Sequence, residues 1–265
     1  MKIDIYQIDA FARRAFEGNP AAVCPLTAWL PDELMQSIAA ENNLSETAFF
    51  VPEEEAYAIR WFTPAAEVDL CGHATLASAW VLFNCLGFEG DRVRFTSRSG
   101  PLSVSRDGDG LVMDFPAHPP HPCTTPIEIV EAFGMTPVEC LQHDDYLVIF
   151  DDEETVLRAD PKIDILAGLD SRGVIISAPS DEYDFVSRFF APAVGIPEDP
   201  VTGSAHTQLT PYWAARLGKQ QLRAKQVSAR GGELNCTLQG ERVLIAGHAI
   251  KYLQGVLEVD APVFQ

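Results

Sequence analysis

The stretch that decides the fold reads RWFTP at residues 60–64 and CGHA at residues 71–74. A second copy of the arrangement reads RFFAP at residues 188–192 and TGSA at residues 202–205. In each copy an aromatic run typical of a β-strand leads through a proline-containing loop to a glycine. The glycine then opens a segment with the apolar spacing of a helix. The repeat predicts two similar halves related by approximate two-fold symmetry.

Two helices that begin at these glycines would each present unpaired N–H groups and partial positive charge at the N-terminus. The first helix is expected to begin at Gly72 and to stop near Gly87, and the second to begin at Gly203 and to stop at Gly218. We expect the two N-termini to face one cleft, where they would hold a carboxylate. The sequence therefore predicts a small-molecule carboxylate as the ligand.

Composition and charge exclude several classes of protein. The chain has 265 residues with a hydrophobic share of 47%, which is enough to bury two ordinary cores. A formal net charge of -19 leaves no basic surplus to neutralise phosphates, so nucleic acid is excluded as a partner. No apolar stretch is long enough to span a bilayer, and no signal peptide is recognisable. Six dispersed cysteines without a C-x-x-C pair favour reduced thiols, and we expect a soluble, cytoplasmic protein.

The order of elements predicts an α+β fold with two pseudo-symmetric halves, each a barrel-like, mostly antiparallel sheet around a central helix. We place the first half at residues 1–115 and the second at residues 116–265, with the last strand able to pack back on the first half. The boundary falls at residues 116–126, where prolines break regular structure. The HPPHPC stretch within it (118–123) contains metal-ligand residue types. Its prolines deny them a helical or hairpin geometry, so we interpret the stretch as an exposed linker and predict no metal site.

Alternating apolar residues and turn signals predict many short strands. In the second half they predict strands at residues 226–229, 233–238, 243–250 and 255–259. A short helix is expected at residues 160–168. The strands come in meander runs, which favours antiparallel pairing over parallel winding.

Glu46 is the first candidate for acid/base chemistry. It lies in the apolar run LSETAFFV (44–51), where desolvation would raise its pKa towards the range in which a carboxyl both gives and takes a proton. The alternative is a carboxylate on the solvent face of a half-buried strand. Residue type and spacing leave both interpretations open.

Two more candidates lie at the expected N-terminus of the first helix. The helix dipole disfavours the protonated form of His73, so a neutral ring would exchange hydrogen bonds with a substrate oxygen, unless it is a capping or core histidine. The same dipole lowers the pKa of a thiol, which makes Cys71 a candidate base. The second copy carries Thr202 at the related position, so two-base thiol chemistry lacks one base.

At the second helix, Asp199 and Ser204 could hold polar groups of a substrate or serve as ordinary capping residues. No G-x-S-x-G, Walker A, H-E-x-x-H or G-x-G-x-x-G pattern occurs in the chain. These absences argue against nucleotide, nicotinamide and zinc-protease chemistry.

Five motifs together resemble one known family. They read GNPA (18–21), NLSETAF (43–49), FTP (62–64), CGHAT (71–75) and DPVTGSA (199–205). Occurring in this order over essentially the whole chain, they resemble the PhzF family of phenazine-biosynthesis-like isomerases. The resemblance implies the diaminopimelate epimerase fold, an active site between two similar halves, a homodimeric state and no cofactor.

The resemblance also implies roles for single residues. Glu46 corresponds to the family's catalytic glutamate, His73 to the histidine of its G-H motif, and Asp199 and Ser204 to the aspartate and serine of its D-P-x-T-G-S-A motif. The backbone amides implied to bind the substrate carboxylate are those around Gly72, His73, Gly203 and Ser204, with Cys71 beside them. The implied reaction is a proton shift, in which the glutamate removes a hydrogen from one carbon of a conjugated acid and returns it to another.

Two other functions stay open. An epimerase or racemase would use Glu46 and Cys71 on opposite faces of a chiral carbon, and a non-catalytic protein would bind a small molecule without turnover. His206 follows the second glycine motif, where a small residue would leave more room for a substrate ring. The sequence therefore leaves the substrate undefined.

Overall fold

The computed structural model describes residues 1–259, which form two compact units. Unit 1 consists of Met1–Met113 and the segment that begins at Gly247, and unit 2 consists of Asp114–Ala246. The last strand pairs along the first strand of the chain, as the prediction allowed, and so belongs to unit 1 and not to unit 2. The predicted half also includes residues 260–265, which lie outside the described residues. No helix among residues 1–259 is long and apolar enough to cross a membrane.

The first part of the chain contains the following elements: β1 (Lys2–Ala10), β2 (Asn19–Pro25), α1 (Asp32–Asn42), β3 (Glu46–Pro52), β4 (Tyr57–Phe62), β5 (Glu67–Val68), α2 (Gly72–Asn84), β6 (Arg92–Ser97), β7 (Gly100–Asp107) and β8 (Gly110–Pro116). The remainder contains β9 (His121–Pro122), α3 (Ile127–Phe133), β10 (Glu139–Gln142), β11 (Tyr146–Ile149), α4 (Glu153–Arg158), α5 (Ile163–Leu166), β12 (Val174–Pro179), β13 (Phe185–Ala191), β14 (Ile196–Asp199), α6 (Gly203–Leu217), β15 (Gln221–Gln226), β16 (Gly232–Gln239), β17 (Arg242–Gly247) and β18 (Ala249–Glu258).

The strands of unit 1 pair mostly in the antiparallel sense. β1 lies between β18 and β2, and β6, β7 and β8 form a meander. Two strand pairs are parallel, β2 with β3 and β4 with β6. The chain between the two strands of each pair contains a helix, which returns it to the same end of the sheet. The helix of the second connection, α2, packs against β1, β2 and β3.

α2 is the central helix of unit 1. It is apolar all round, and its buried residues are His73, Ala74, Thr75, Leu76, Ala77, Ser78, Ala79, Val81, Leu82 and Phe83. A helix without a polar face is stable only inside a core, which is why the sheet encloses it. The helix ends at Asn84, and Gly87 then turns the chain with a φ of 72°.

Unit 2 repeats this plan. β10 and β11, β12 and β13, and β15 to β17 pair in the antiparallel sense, whereas β11 with β12 and β13 with β15 are parallel. The buried helix α6 packs against β15 and β16. It ends as predicted at Gly218, which has a φ of 66° and donates its N–H to the carbonyl of Ala214. Each unit is thus a mostly antiparallel sheet around one buried helix.

Several local predictions for unit 2 are wrong. The strand expected at residues 226–229 lies earlier, as β15, because parallel pairing with β13 selects that register and a turn follows Gln226. Residues 116–126 are not wholly irregular, because they contain β9, which pairs with β10. The helix expected at residues 160–168 shrinks to α5, since the N–H of Lys162 donates to the carbonyl of Ala132 instead.

The two strands expected at residues 243–250 and 255–259 have different bounds. They are β17 and β18, which are separated only by His248. β18 starts earlier than expected because it continues along the whole length of β1, with one irregularity between Gln7 and Ile8. The pairing partner, rather than local alternation, sets where this strand begins.

Candidate active site

Glu46 is the first residue of β3, and only 7% of its surface is exposed. Asn43 ends α1 in the left-handed conformation with a φ of 50° and donates its N–H to the carbonyl of Ala39, which turns the chain into β3. Parallel pairing with β2 then places Glu46 opposite Ala21. The solvent-facing interpretation of Glu46 is therefore wrong, because the carboxylate is withdrawn from water.

His73 connects Glu46 with Cys71 in unit 1. Its Nε2 lies 3.1 Å from Oε2 of Glu46, and its Nδ1 lies 3.5 Å from Sγ of Cys71. All three residues are buried. Apart from each other, Nε2 of His73 and Oε2 of Glu46 have no polar partner among residues 1–259. The structure therefore brings together three of the predicted site residues. Two of their buried polar atoms, Oε2 of Glu46 and Nε2 of His73, have no further partner among the described residues.

The pKa values of Cys71 and His73 shift against the predicted direction. Burial raises the pKa of the Cys71 thiol to about 11, and the charge of Glu46 adds to this effect. Burial lowers the pKa of His73, but the neighbouring Cys71 and Glu46 outweigh it and raise that pKa well above its ordinary value. The helix dipole had predicted a lower pKa for both groups. Desolvation of the Cys71 thiol, and the closeness of Cys71 and Glu46 to His73, instead move both pKa values upward.

At neutral pH these shifts assign the protons of the group. Burial favours the neutral thiol of Cys71, and the nearby Glu46 favours the protonated form of the His73 imidazole. The three side chains also offer ligand atoms within 4.8 Å of one another, as a metal would require. The prediction that this site uses no metal or organic cofactor stays a prediction.

Asp199 lies at the end of β14 in unit 2 and is 8% exposed. Thr202, the residue before α6, donates its hydroxyl to Oδ2 of Asp199. The side chain of Gln226 accepts from the N–H of Thr202 at 2.8 Å and donates to the carbonyl of Asp199 at 2.7 Å. These bonds fix the turn that leads into α6. They also occupy the Thr202 hydroxyl, so it does not cap the helix.

Gly203 opens α6 in a conformation outside the left-handed region. A Cβ atom added to Gly203 would meet no described atom within 4 Å other than those of its chain neighbours and of the α6 backbone. The glycine is thus not required by the fold of unit 2, and its backbone faces open space. Gly72 likewise opens α2. Neither helix has a side-chain cap, so the N–H groups of its first turn are available to an anion.

Sequence reasoning missed Arg172 and Asp145. Arg172 donates Nη2 to the hydroxyl of Ser204 at 3.2 Å and forms a two-pronged pair with Asp145, in which Nε lies 2.9 Å from Oδ1. Asp145 is completely buried, and Gln208 donates to it as well. The acidic pair at residues 144–145, directly before the apolar strand β11, could have indicated a buried carboxylate. A buried carboxylate needs a cationic partner. Arg172 places a positive charge next to the N-terminus of α6.

His206 is completely buried on α6. Its Nδ1 donates to the carbonyl of Thr202 at 2.8 Å, and its ring centroid lies 5.9 Å from that of Phe185. Burial lowers the pKa of His206 to about 4, although the hydrogen bond to Thr202 acts in the opposite direction. His206 is therefore a neutral core residue of unit 2 at neutral pH.

The chain is similar to known proteins over nearly its whole length. The family model of phenazine biosynthesis-like proteins, PhzC-PhzF, matches residues 8–255. The chain belongs to this family. An uncharacterized isomerase of Pseudomonas aeruginosa is 57% identical over 259 residues, which cover 98% of this chain and 100% of that protein. The crystal structure of a PhzF family protein from Enterococcus faecalis has a TM-score of 0.96 and 47% identity, covering 98% of this chain and 100% of that one.

The likeness in fold reaches further than the family. A hydroxyproline epimerase from Agrobacterium vitis has a TM-score of 0.67 at 13% identity, covering 99% of this chain and 94% of that one. This likeness confirms the predicted epimerase-like α+β fold. The prediction of an isomerase of the family is confirmed at that level, because relatives carry this description. The roles of single residues, the carboxylate substrate and the homodimer stay predictions.

Proposed function

We propose that the protein is a cofactor-independent isomerase that moves a proton between two carbon atoms of a small carboxylic acid. The observation that carries the proposal is the buried pair of Glu46 and His73, whose facing atoms lie 3.1 Å apart and have no other partner among residues 1–259. Burying a carboxylate and an imidazolium is costly for stability. Such a pair is expected where the protonation of the carboxylate changes during turnover.

In the proposed reaction, Glu46 is the base and then the acid. Its carboxylate takes a proton from one substrate carbon, and the electron pair of that C–H bond enters the conjugated system of the substrate. Glu46, whose carboxyl proton exchanges with solvent between the two steps, then gives a proton to a second carbon, so no electron is gained or lost overall. General acid/base catalysis of this kind requires a group that both accepts and releases the proton within hydrogen-bond reach of the substrate.

His73 supports both steps as a positioning residue. While Glu46 is ionised, the protonated imidazole pairs with it and holds it in one orientation. Once Glu46 carries the substrate proton, the positive charge of His73 has lost its partner. It then favours the negative charge that develops on the substrate, in a place where the low dielectric strengthens the attraction.

Within unit 2, the N-terminus of α6 supports binding of an anion. The backbone at Gly203 is approachable, and Ser204 is held by the guanidinium of Arg172. Peptide N–H groups at a helix N-terminus and a guanidinium both bind carboxylates. A carboxylic acid is therefore the substrate class that suits these residues.

The epimerase is the second candidate function, and the raised pKa of the Cys71 thiol favours the isomerase over it. A reversible epimerase of the alternative type needs Cys71 to act as a thiolate base, on the face opposite Glu46, in one of its two directions. A thiol whose pKa is about 11 is protonated at neutral pH, so Cys71 is a poor base. The reaction with one shuttling carboxylate is consistent with this, because it requires no second base.

The test combines ligand discovery with one substitution. A panel of cyclic and amino-acid carboxylates is first screened by thermal shift, because a ligand of the folded state raises the melting temperature. Turnover of the binding compounds is then followed in D2O, where an isomerase introduces deuterium into substrate carbon and a simple binding protein does not. Deuterium incorporation by wild type is the expected result, and its absence for every ligand would favour the binding protein.

Glu46→Gln should remove turnover and leave ligand binding nearly intact, because the amide keeps the shape but cannot carry the proton. We expect a loss on the order of 100-fold to 10,000-fold in rate. Glu41→Gln is the matched control, because Glu41 is exposed on α1 and the charge change is the same. If Glu46→Gln kept more than half of the wild-type rate, Glu46 would not be the proton shuttle.

A further inference from the structure

Two imidazoles and one carboxylate meet in unit 2, apart from the residues of the proposed reaction. Nδ1 of His118 lies 2.7 Å from Oδ2 of Asp144, and Nδ1 of His143 lies 3.1 Å from Oδ1 of the same carboxylate. The two rings stack with centroids 4.7 Å apart and planes 11° from parallel. Each residue offers one metal-ligating atom, and these atoms all lie within 4.8 Å of one another.

The backbone holds these residues in place on both sides. The N–H of His118 donates to the carbonyl of Thr207 on α6 at 3.0 Å. His143 and Asp144 occupy the turn between β10 and β11, where the N–H of His143 donates to the carbonyl of Asp145 at 3.2 Å. Asp145 is itself buried and paired, so the turn is anchored to the core of unit 2. The three side chains are brought together by the fold of the unit and not only by attraction for each other.

We propose that His118, His143 and Asp144 bind a divalent transition-metal ion such as Zn²⁺, Ni²⁺ or Cu²⁺. Imidazole nitrogen combined with carboxylate oxygen is the donor set these ions prefer, whereas Ca²⁺ and Mg²⁺ prefer oxygen donors alone. The ion would take the place of the two N–H protons that now point at the carboxylate. It would bind each imidazole through Nδ1, in the neutral tautomer that carries its proton on Nε2.

Exposure and charge are consistent with an accessible ion. The side chains of His118, His143 and Asp144 are 33%, 34% and 51% exposed, so water can complete the coordination. The formal net charge of -19 raises the concentration of cations near the protein. The prolines of the HPPHPC stretch deny its own residues the geometry of a metal site, as the sequence predicts. His118 instead gains its co-ligands from a turn distant in sequence.

The test is a titration of the full-length, tag-free protein with NiCl2 by isothermal calorimetry. We expect one equivalent to bind, and both His143→Ala and Asp144→Asn to abolish the binding while circular dichroism shows a folded protein. His248→Ala is the matched control, because His248 faces a single carboxylate, that of Asp109, at 3.8 Å. This control should bind Ni²⁺ as wild type does.

A spectroscopic readout identifies the ligands directly. Electron paramagnetic resonance of the protein with one equivalent of Cu²⁺ should show coupling to two imidazole nitrogens, and this signal should be absent in His143→Ala. The proposal is overturned if wild type binds no ion, or if His143→Ala binds as wild type does. It is also overturned if binding is lost only in His73→Asn, which would place the ion at the Glu46 group. None of these outcomes bears on the proposed isomerase activity.

Discussion

Lowering the pH from 7 to 5 should destabilise the protein through His206. The ring is completely buried, its Nδ1 donates to the carbonyl of Thr202, and its Nε2 has no partner among residues 1–259. Burial lowers the pKa of His206 in the folded protein to about 4. In the unfolded chain an ordinary imidazole has a pKa of about 6.5. At a pH between these two pKa values, the imidazole is mostly protonated in the unfolded chain and mostly neutral in the folded protein.

The size of the effect follows from the two pKa values. One pKa unit corresponds to about 1.36 kcal/mol, so the free energy of unfolding should fall by about 1.8 kcal/mol between pH 7 and pH 5. The loss approaches about 3.4 kcal/mol once the pH is below both values. His73, with its raised pKa, contributes stability that is fully present below about pH 6.5 and is lost as the pH rises through its folded pKa. Asp184, whose pKa is lowered, loses its contribution only below about pH 4.

The measurement is urea unfolding followed by circular dichroism at pH 7, 6 and 5. It compares wild type with His206→Gln, because the glutamine amide does not titrate and retains a donor for the Thr202 carbonyl. The stability of wild type relative to this variant should fall by about 1.8 kcal/mol from pH 7 to pH 5. The control His121→Gln removes an exposed histidine and should show no such trend. A difference between wild type and His206→Gln that is independent of pH would refute the reasoning.

Three further predictions concern the two groups of site residues. Cys71→Ser should reduce turnover only modestly, because the thiol is already protonated; a collapse of turnover with unchanged ligand affinity in steady-state kinetics would instead favour the epimerase. Gly203→Ala should leave the melting temperature nearly unchanged, because its Cβ meets no described atom within 4 Å, and should weaken carboxylate binding in calorimetry. Normal binding by Gly203→Val would exclude the N-terminus of α6 as the anion site. Arg172→Met should destabilise by about 3 kcal/mol, because it leaves Asp145 buried without its cation. Adding Asp145→Asn should recover part of that loss in urea unfolding, and no recovery would contradict the ion-pair explanation.

The repeated helices could be predicted from the sequence because their signals are local. Gly72 and Gly203 each follow a proline-containing loop and begin a helix, and Gly218 ends the second with its left-handed conformation. Backbone preference and apolar spacing act over a few residues, so they can be recognised without knowledge of the fold. The family motifs likewise pointed to the α+β fold, which the comparisons confirm.

Strand limits were less predictable because a strand ends where its partner does. β18 begins at Ala249 because it pairs along β1 as far as Ala10, and β15 ends at Gln226, opposite Gly232, where its antiparallel partner β16 begins. No local pattern contains this information. The same residues would alternate equally well in a shifted register.

The chemistry of the site depended most on tertiary structure. The sequence supplied Glu46, Cys71 and His73 as candidates, but their protonation follows from burial and from the 3.1 Å approach of two side chains that are distant in sequence. Asp145 and Arg172, which are 27 residues apart, could not be paired in advance. A pKa is the balance of desolvation against nearby charges, and both terms are sums over whatever the fold packs around the group. The sequence by itself therefore determined which groups are present and where the helices begin, and only the folded chain decided which of those groups carry a proton.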